Sequence, residues 1–323
     1  MSHTRRQLLQ AVTVCIVLPS SACRGNTAGL LKDKIMQKYP MNTYAVGRFL
    51  IDCPEAAKNA SMSMRIFGKE IEWKPATAAE YLTLLSMRVN ILKGTNSATN
   101  FLISDEAGAV SQSRIILFEE DSTRDGFVGY EAYLYAEKVN GYFILTGSAD
   151  RKKVENIIPH VNEVLNLIQP RLIDRNFTSR GACLDHAFIA GADLEWGETA
   201  SIMASFNKIA LGFSTQVIDK IDEGPTLLQR AETINGFPDA KLLRKKRRTI
   251  AGLHGAEFCF IDTPQGGGGY SFQWEYIGQP NSFGAPKIRV GIDTTTPISI
   301  SSEELLGLWD AILESIHLRP GAV

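Results

Sequence analysis

The sequence predicts an α+β fold of two similar lobes, each a largely antiparallel sheet with packed helices. Strand-like apolar segments occur in runs, and amphipathic helices occur between them at a few places. Each half closes with an apolar strand and a helix that ends near an arginine and a proline, at Gln169-Pro170-Arg171 and at Leu318-Arg319-Pro320. A repeat of roughly 135 residues suits two domains of ordinary size and is too long for a solenoid.

The repeat divides the chain into four expected segments. Residues 1–23 form an export signal, 24–43 a polar tether, 44–172 an N-terminal domain and 177–323 a C-terminal domain. Domains of this size bury roughly two thirds of the surface that their unfolded chains expose, so each half can hold its own core. Two lobes with a cleft between them have a shape suited to gripping a partner.

The first residues resemble a bacterial export signal. Arg5-Arg6 precedes the apolar run 11–18, and residues 19–23 are mostly small, as at the cleavage site of a signal peptide. The arginine pair resembles a twin-arginine signal. Residues 19–23 resemble a lipobox in which Cys23 is the lipidated residue. Ser20 stands where that motif prefers leucine. We therefore expect a periplasmic protein that is soluble or anchored through Cys23; the alternative is a start with no targeting role.

Composition excludes several classes of protein. The formal net charge of −1 gives no overall basic character for binding nucleic acid. After the N-terminus, no apolar run approaches the ~20 residues that span a bilayer. Cys53, Cys183 and Cys259 lack the spacing of a zinc site, and no cofactor or metal is expected. We expect three buried free thiols; one disulfide is the alternative in an oxidising periplasm.

Local signals place helices and a hairpin in the first half. Thr77-Ala78-Ala79-Glu80 is a capping box, and Gly94 ends the helix behind it. Strands 130–138 and 142–146 flank Asn140-Gly141, which predicts a type I′ hairpin turn. A further helix from about Asp150 contains Pro159, which should kink or restart it.

The second half repeats this plan. Ser301 begins the final helix, whose predicted buried face includes Trp309. A short helix is expected after Gly224-Pro225. The predicted strands are 183–189, 200–206, 213–218, 255–262, 270–277 and 288–293.

No catalytic constellation emerges from the sequence. The nucleophile elbow, the zinc-protease helix motif and the phosphate loop are all missing. His186 follows Asp185, but neighbours on one strand point to opposite faces, which makes them a poor base and orienting carboxylate. Trp196, Trp274 and Trp309 are interpreted as core or interface residues, and Trp73 as exposed in a loop.

Two further stretches have alternative interpretations. Residues 266–269 are four glycines, predicted to be a hairpin tip because a strand and not a helix follows them. The run 241–248 is dense in lysine and arginine. It is either a solvated loop or a local patch for an acidic partner surface or anionic lipid head groups.

The ordered set of motifs resembles one family. Val46-Gly47-Arg48-Phe49-Leu50-Ile51-Asp52-Cys53-Pro54 is similar to a segment of the immunity proteins that neutralise type VI secretion lipase effectors, with Cys53 where an apolar residue is expected. The resemblance continues through the second half to about residue 321. Its further segments are Gly252, Gly255-Ala256-Glu257, Phe272-Gln273-Trp274-Glu275-Tyr276, Pro286-Lys287-Ile288, Leu308-Trp309-Asp310-Ala311-Ile312-Leu313, Ser315-Ile316 and Arg319-Pro320.

This resemblance implies a claw-like, two-domain periplasmic protein that grips a phospholipase effector as a heterodimer and blocks its activation or its access to lipid. It implies no catalytic, cofactor-binding or metal-binding residues, and it transfers no partner-binding residue. A lipid anchor or the basic run implies peripheral membrane association. The alternative is a periplasmic lipoprotein that binds a small ligand or lipid between its lobes, and a remoter one is a hydrolase of unfamiliar design.

Overall fold

The computed structural model describes residues 34–57, 60–94, 101–119, 126–172, 178–191, 197–234, 240–262, 268–294 and 298–323. The predicted export signal with Cys23, Trp196, and Gly266 and Gly267 of the glycine-rich tip lie outside these ranges. Across the part of the chain that is described, no helix is long and apolar enough to cross a membrane.

Helices alternate with long runs of strands. The named helices are α1 (Ala78–Gly94), α2 (Ile157–Leu167), α3 (Leu227–Ile234) and α4 (Ser302–Ser315), with 3-10 turns at Glu137–Val139 and Arg151–Asn156. The strands are β1 (Met41–Val46), β2 (Phe49–Pro54), β3 (Ser61–Ile66), β4 (Lys69–Pro75), β5 (Leu102–Ala107), β6 (Ser113–Glu119), β7 (Phe127–Ala136), β8 (Gly141–Asp150), β9 (Ile168–Pro170), β10 (Gly181–Leu184), β11 (Ala187–Ala190), β12 (Thr199–Phe206), β13 (Ile209–Gln216), β14 (Ala240–Ile250), β15 (Leu253–Asp262), β16 (Tyr270–Tyr276), β17 (Lys287–Asp293) and β18 (His317–Leu318).

One twelve-stranded antiparallel sheet runs through both halves, in the order β14-β15-β16-β17-β13-β12-β3-β4-β8-β7-β6-β5. The halves join where β3 pairs with β12, with Met62 opposite Ile202. Two three-stranded sheets, β1-β2-β18 and β10-β11-β9, complete the strand pairing. The predicted α+β class with largely antiparallel sheets is confirmed. The domain boundaries stay predictions, because the large sheet is continuous across them.

The two faces of the large sheet differ. On one face, α2 and α4 pack with the small sheets over a single core that includes Val161, Leu165, Leu308 and Trp309. On the other face, α1 covers tyrosines of β7 and β8 at one end. At the opposite end, α3 covers Phe258 of β15. Among the described residues, no helix covers the central strands between α1 and α3 on this second face.

The capping signals identify helix starts correctly. The Thr77 backbone N–H donates to Glu80 Oε2 at 2.7 Å, and the Glu80 N–H donates to Thr77 Oγ1 at 3.3 Å, which is the predicted capping box. Ser301 caps α4 by accepting from the Glu304 N–H at 3.2 Å. Pro159 lies in the first turn of α2, after a 3-10 turn, so the helix restarts as expected.

Two local predictions need correction. The hairpin of β7 and β8 forms, but its turn is longer than a two-residue type I′ turn, because Glu137–Val139 adopts a 3-10 turn and Asn140 alone is left-handed, at φ 46°. The predicted strand 183–189 is two strands, since His186 at φ 56° reverses the chain between β10 and β11.

The stretch 34–43, assigned to a tether by its polar composition, packs onto the fold. Ile35 and Tyr39 are buried in the main core, at 3% and 6% exposure. The Tyr39 hydroxyl donates to Glu304 Oε1 at 2.7 Å, and Lys38 forms an ion pair with the same carboxylate. Two apolar anchors spaced one helical turn apart outweigh the polar residues around them.

Replacing Trp309 by alanine should lower the free energy of unfolding by roughly 3–5 kcal/mol. The indole is fully buried, and its N–H donates to the buried Glu257 at 2.8 Å, so the variant gains a cavity and loses a hydrogen bond. Denaturant unfolding measures the change, with Leu82→Ala as the control, because Leu82 is 61% exposed. A Trp309 variant as stable as the parent would contradict this packing.

Candidate functional site

Near the junction of the two halves, the uncovered central face of the large sheet has a floor of mostly small side chains, with the exposed Met203 among them. The Ser63 and Ser201 hydroxyl oxygens lie 3.0 Å apart across the junction of the two halves. Two neighbouring cross-strand rows contain Ser63, Ser201 and Ser214, and Ser61, Met203, Gly212 and Gly291. A Cβ added at Gly291 would meet only a backbone oxygen, at 3.6 Å, so the space above is open. A partner backbone can therefore approach the floor closely at Gly291.

Helix α1 forms an apolar wall on one side of the floor. Met87 and Ile91 are 60% and 54% exposed. With Leu84 and the β8 residues Tyr142 and Ile144, they line a groove of ≈ 640 Å³ on the side of α1 that faces the centre of the sheet. Exposed apolar side chains grouped in this way mark a contact surface and not a solvated helix face.

The opposite wall, beside α3, is charged. Arg230 donates to Glu275 Oε2 at 2.6 Å, and Arg289 donates to its Oε1 at 3.1 Å. Burial raises the pKa of Glu275, but the two guanidinium groups outweigh it and hold the pKa below the usual range. A groove of ≈ 530 Å³ extends from this cluster over Met203 and Gly212. The site thus offers an apolar wall, a floor of mostly small side chains and a charged wall.

The Gly-Arg motif of the sequence lies in the structural junction of the two halves and not in the open face. Arg48 donates to the Glu198 carboxylate at 2.8 and 3.0 Å, to the Ala322 carbonyl oxygen at 2.6 Å and to the Gly191 carbonyl oxygen at 3.1 Å. Its guanidinium also stacks 3.9 Å from the Phe283 ring centroid. Burial raises the pKa of Glu198, and Arg48 opposes that shift.

The predicted loop at 241–248 is instead part of the edge strand β14, a correction to the sequence analysis. Arg244 donates to Asp310 at 2.6 and 3.1 Å, and Arg248 also contacts this carboxylate. Burial raises the pKa of Asp310, but these two arginines outweigh it and lower the pKa overall. Charged residues also prevent an exposed edge from pairing with other strands. Much of the basic run is thus neutralised by this chain's own carboxylates.

The other sequence candidates do not converge on a reaction centre. His186 and Asp185 lie in a turn and not on one strand; His186 Nε2 is 3.6 Å from Asp185 Oδ1. The imidazole stacks on Trp73, with ring centroids 3.8 Å apart, and Trp73 is a half-buried residue of β4 and not an exposed loop residue. Within the described ranges, no cluster of potential metal ligands occurs.

The three thiols are buried and unpaired, as expected. Burial raises the pKa of Cys53 to about 12 and also raises the pKa of Cys183, so both thiols are protonated at neutral pH. A protonated, buried thiol behaves as a small apolar side chain. The cysteines therefore contribute to packing.

Comparison with known proteins shows the family. Residues 42–164 match the profile of the Tle cognate immunity protein 4 N-terminal domain, and residues 178–321 match that of its C-terminal domain. The chain belongs to the Tle cognate immunity protein 4 family. No curated protein matches the chain.

Solved structures share the fold of this Tle immunity protein. The apo immunity protein TplEi of the type VI secretion system from Pseudomonas aeruginosa is 21% identical, with a TM-score of 0.73 over 89% of this chain and 100% of that chain. The crystal structure of the Tle4–Tli4 complex gives 21% identity and a TM-score of 0.72 over 87% and 98%. TplEi complexed with the "L" peptide is 22% identical, with a TM-score of 0.67 over 87% of this chain and 98% of that chain. Identities this low establish similarity of fold alone.

Sequence reasoning missed the floor of the open face. Its signal is the alternation in β12 and β13, where every second residue is small or exposed while the residues between are buried. That pattern identifies a sheet face that faces solvent. It does not reveal which strands lie side by side, so the floor could not be assembled from it.

Proposed function

We propose that this protein binds a cognate type VI secretion lipase effector on the open sheet face and thereby inhibits it. The proposal rests on one observation: a floor of mostly small side chains lies between an apolar helix wall and a charged wall, on a sheet shared by both halves. Membership of the immunity family and the effector complex of the similar protein Tli4 support it.

The width of the face suits a folded element of the effector. Between β8 under α1 and β15 under α3 lie seven strand spacings, about 34 Å at ~4.8 Å each. Subtracting the radii of the two flanking helices leaves roughly 23 Å, enough for two helices side by side. Such an occupant would contact both halves at once, and each contact would strengthen the other.

We propose further that the protein acts by binding alone and has no enzymatic activity of its own. An inhibitor that blocks a lipase must bind tightly, because one free enzyme molecule hydrolyses many lipids. We expect a dissociation constant in the nanomolar range, equivalent to roughly −12 kcal/mol.

Co-expression tests the proposed function. A periplasm-directed lipase encoded beside this gene should kill cells that lack this protein and spare cells that produce it. The purified pair should co-elute, and lipase activity should be lost at equimolar ratio. A neighbouring gene product that is not a toxin, or a pair that neither co-elutes nor loses activity, would refute the proposal.

The proposed location is the periplasm, with a lipid anchor at Cys23. Changing both Arg5 and Arg6 to lysine should retain the protein in the cytoplasm, because a twin-arginine signal requires the guanidinium pair. Cell fractionation measures this, and Cys23→Ala should abolish palmitate labelling. A mature cytoplasmic protein that begins at Met1 would contradict export; labelling that persists in Cys23→Ala would contradict the anchor alone.

A further inference from the structure

The strand β5 forms one edge of the large sheet, and its outer side is open. In the ranges that the structure describes, no strand pairs with β5 on the side away from β6. The Gly108 N–H donates to the Ser113 carbonyl oxygen at 3.1 Å, toward β6, and the register from there back to residue 104 is regular. Because inward and outward backbone groups alternate in an antiparallel pair, the N–H and C=O groups of Asp105 and Ala107 point away from β6. This edge thus offers two donors and two acceptors to an extended chain.

The side chains leave this part of the edge accessible. The Asp105 carboxylate is drawn inward by Arg114, which donates to both of its oxygens. Ala107 is small and exposed. The opposite edge of the sheet, β14, is instead lined by lysine and arginine, a composition that prevents pairing with other strands. Of the two edges, β5 is therefore the one that can accept a further strand.

A groove lies beside this edge, along the flank of α1 that faces away from the centre of the sheet. Its volume is ≈ 600 Å³, and its lining includes Leu82, Leu85 and Val89 of the helix and Asp105 and Arg114 of the sheet. Leu82 is 61% exposed. A groove of this size, with apolar walls and a few polar groups, can bury large side chains of an incoming segment.

We propose that β5 accepts an extended segment of a partner protein as an additional antiparallel strand. Residues directly opposite each other in such a pair lie on the same face of the sheet. Asp105 is opposite Ile116, which packs beneath α1, and Ala107 is opposite Arg114, which lines the groove. The partner residues opposite Asp105 and Ala107 therefore point into the groove, and the residue between them points to the other face.

Size and charge define the chemistry of the partner segment. Leucine, methionine or phenylalanine fills the groove at the two positions that point into it. Between them, lysine or arginine is expected, because the exposed Glu106 lies on the other face and opposite charges across a strand pair are favourable. Main-chain hydrogen bonds supply affinity and the groove supplies specificity, as in other cases of strand addition. Binding at this edge is independent of effector binding, since the open face lies on the other flank of α1.

Synthetic peptides and the purified full chain test the proposal. The probes are fluorophore-labelled acetyl-Thr-Thr-Leu-Lys-Leu-Thr-Thr-amide and its versions with methionine or phenylalanine in place of leucine. We expect binding in the micromolar range, measured by fluorescence anisotropy. N-methylation of the two leucine nitrogens removes the N–H groups that face β5 and should weaken binding roughly tenfold or more. N-methylation of the lysine nitrogen, whose N–H points away from β5, is the matched control and should change binding little.

Protein variants test the edge and the groove separately. Ala107→Pro removes an N–H that the sheet itself does not use, at a kind of position where edge strands accept proline, and should weaken binding roughly tenfold or more. Ala107→Val keeps this N–H and is its control. Leu82→Gln should weaken binding several-fold, whereas Met87→Gln should not, because Met87 is 60% exposed but lies on the other flank of α1. Circular dichroism checks that all four variants fold.

Hydrogen exchange locates the added strand without any substitution. In the free protein, the amides of Asp105 and Ala107 should exchange faster than that of Glu106, which is directed at β6. Saturating peptide should slow exchange at Asp105 and Ala107 and change it less at Glu106. Unchanged exchange at Asp105 and Ala107, or binding that leucine N-methylation does not weaken, overturns the proposal. So does the failure of all three peptides to bind at millimolar concentration.

Discussion

Replacing Arg48 by methionine is expected to lower the free energy of unfolding by about 3–5 kcal/mol. The Glu198 side chain is 3% exposed, and Arg48 is its cationic hydrogen-bond donor at 2.8 and 3.0 Å. Without the guanidinium, a buried carboxylate and the carbonyl oxygens of Ala322 and Gly191 each lose a donor. Methionine has similar length, so the loss is electrostatic more than steric.

The pH dependence of the stability of Arg48→Met separates the electrostatic cause of the loss from the steric one. Burial already raises the pKa of Glu198, and Arg48 is what opposes the rise. Without Arg48, the folded-state pKa rises further above the unfolded value, so the folded state binds the proton more tightly. The stability of the variant then falls as pH rises through the folded-state pKa of Glu198. The free energy of unfolding of Arg48→Met should therefore be closer to that of the parent at acid pH.

Denaturant unfolding at several pH values measures the effect. The double variant Arg48→Met/Glu198→Gln is the control, since it removes the buried charge and should recover part of the loss at neutral pH. An Arg48 variant with parental stability, or one whose deficit is the same at every pH, would show that Glu198 is not held by this ion pair.

Replacing Gly291 by arginine is expected to weaken effector binding by roughly 100-fold or more, about 3 kcal/mol. Gly291 lies at the β17 end of the floor, next to Gly212 across β13 and β17. Its Cβ position meets only a carbonyl oxygen at 3.6 Å, so the chain itself accommodates the side chain. The long side chain occupies the space that the partner needs.

The matched control is Gly284→Arg, which adds the same side chain in a loop. A Cβ at Gly284 has nothing within 4 Å, so this variant should also fold. Binding is measured by calorimetry and by residual lipase activity, and thermal unfolding checks both variants. If Gly291→Arg inhibits the effector as the parent does, the open face is not the binding site.

Local signals in the sequence determined much of the fold. Thr77 and Ser301 identify helix starts because a capping residue interacts with backbone groups only two or three positions away. The hairpin around Asn140 and the buried face of α4 follow from short-range turn preference and helical periodicity in the same way. The α+β class follows from the order of these elements.

The tertiary structure alone decided where the site lies. Ser63 and Ser201 are 138 positions apart in the chain, yet their hydroxyls meet because β3 pairs with β12. The arginines of the basic run are neutralised in part by Asp310, which is 66 positions from Arg244 in the chain and is brought beside it by the packing of α4. The alternation of buried and exposed residues along a strand shows which of its residues share a face. It does not show which other strand lies next to that strand in the sheet. The order of the strands depends on how the whole chain packs against the sheet. The floor therefore exists only after both halves have joined.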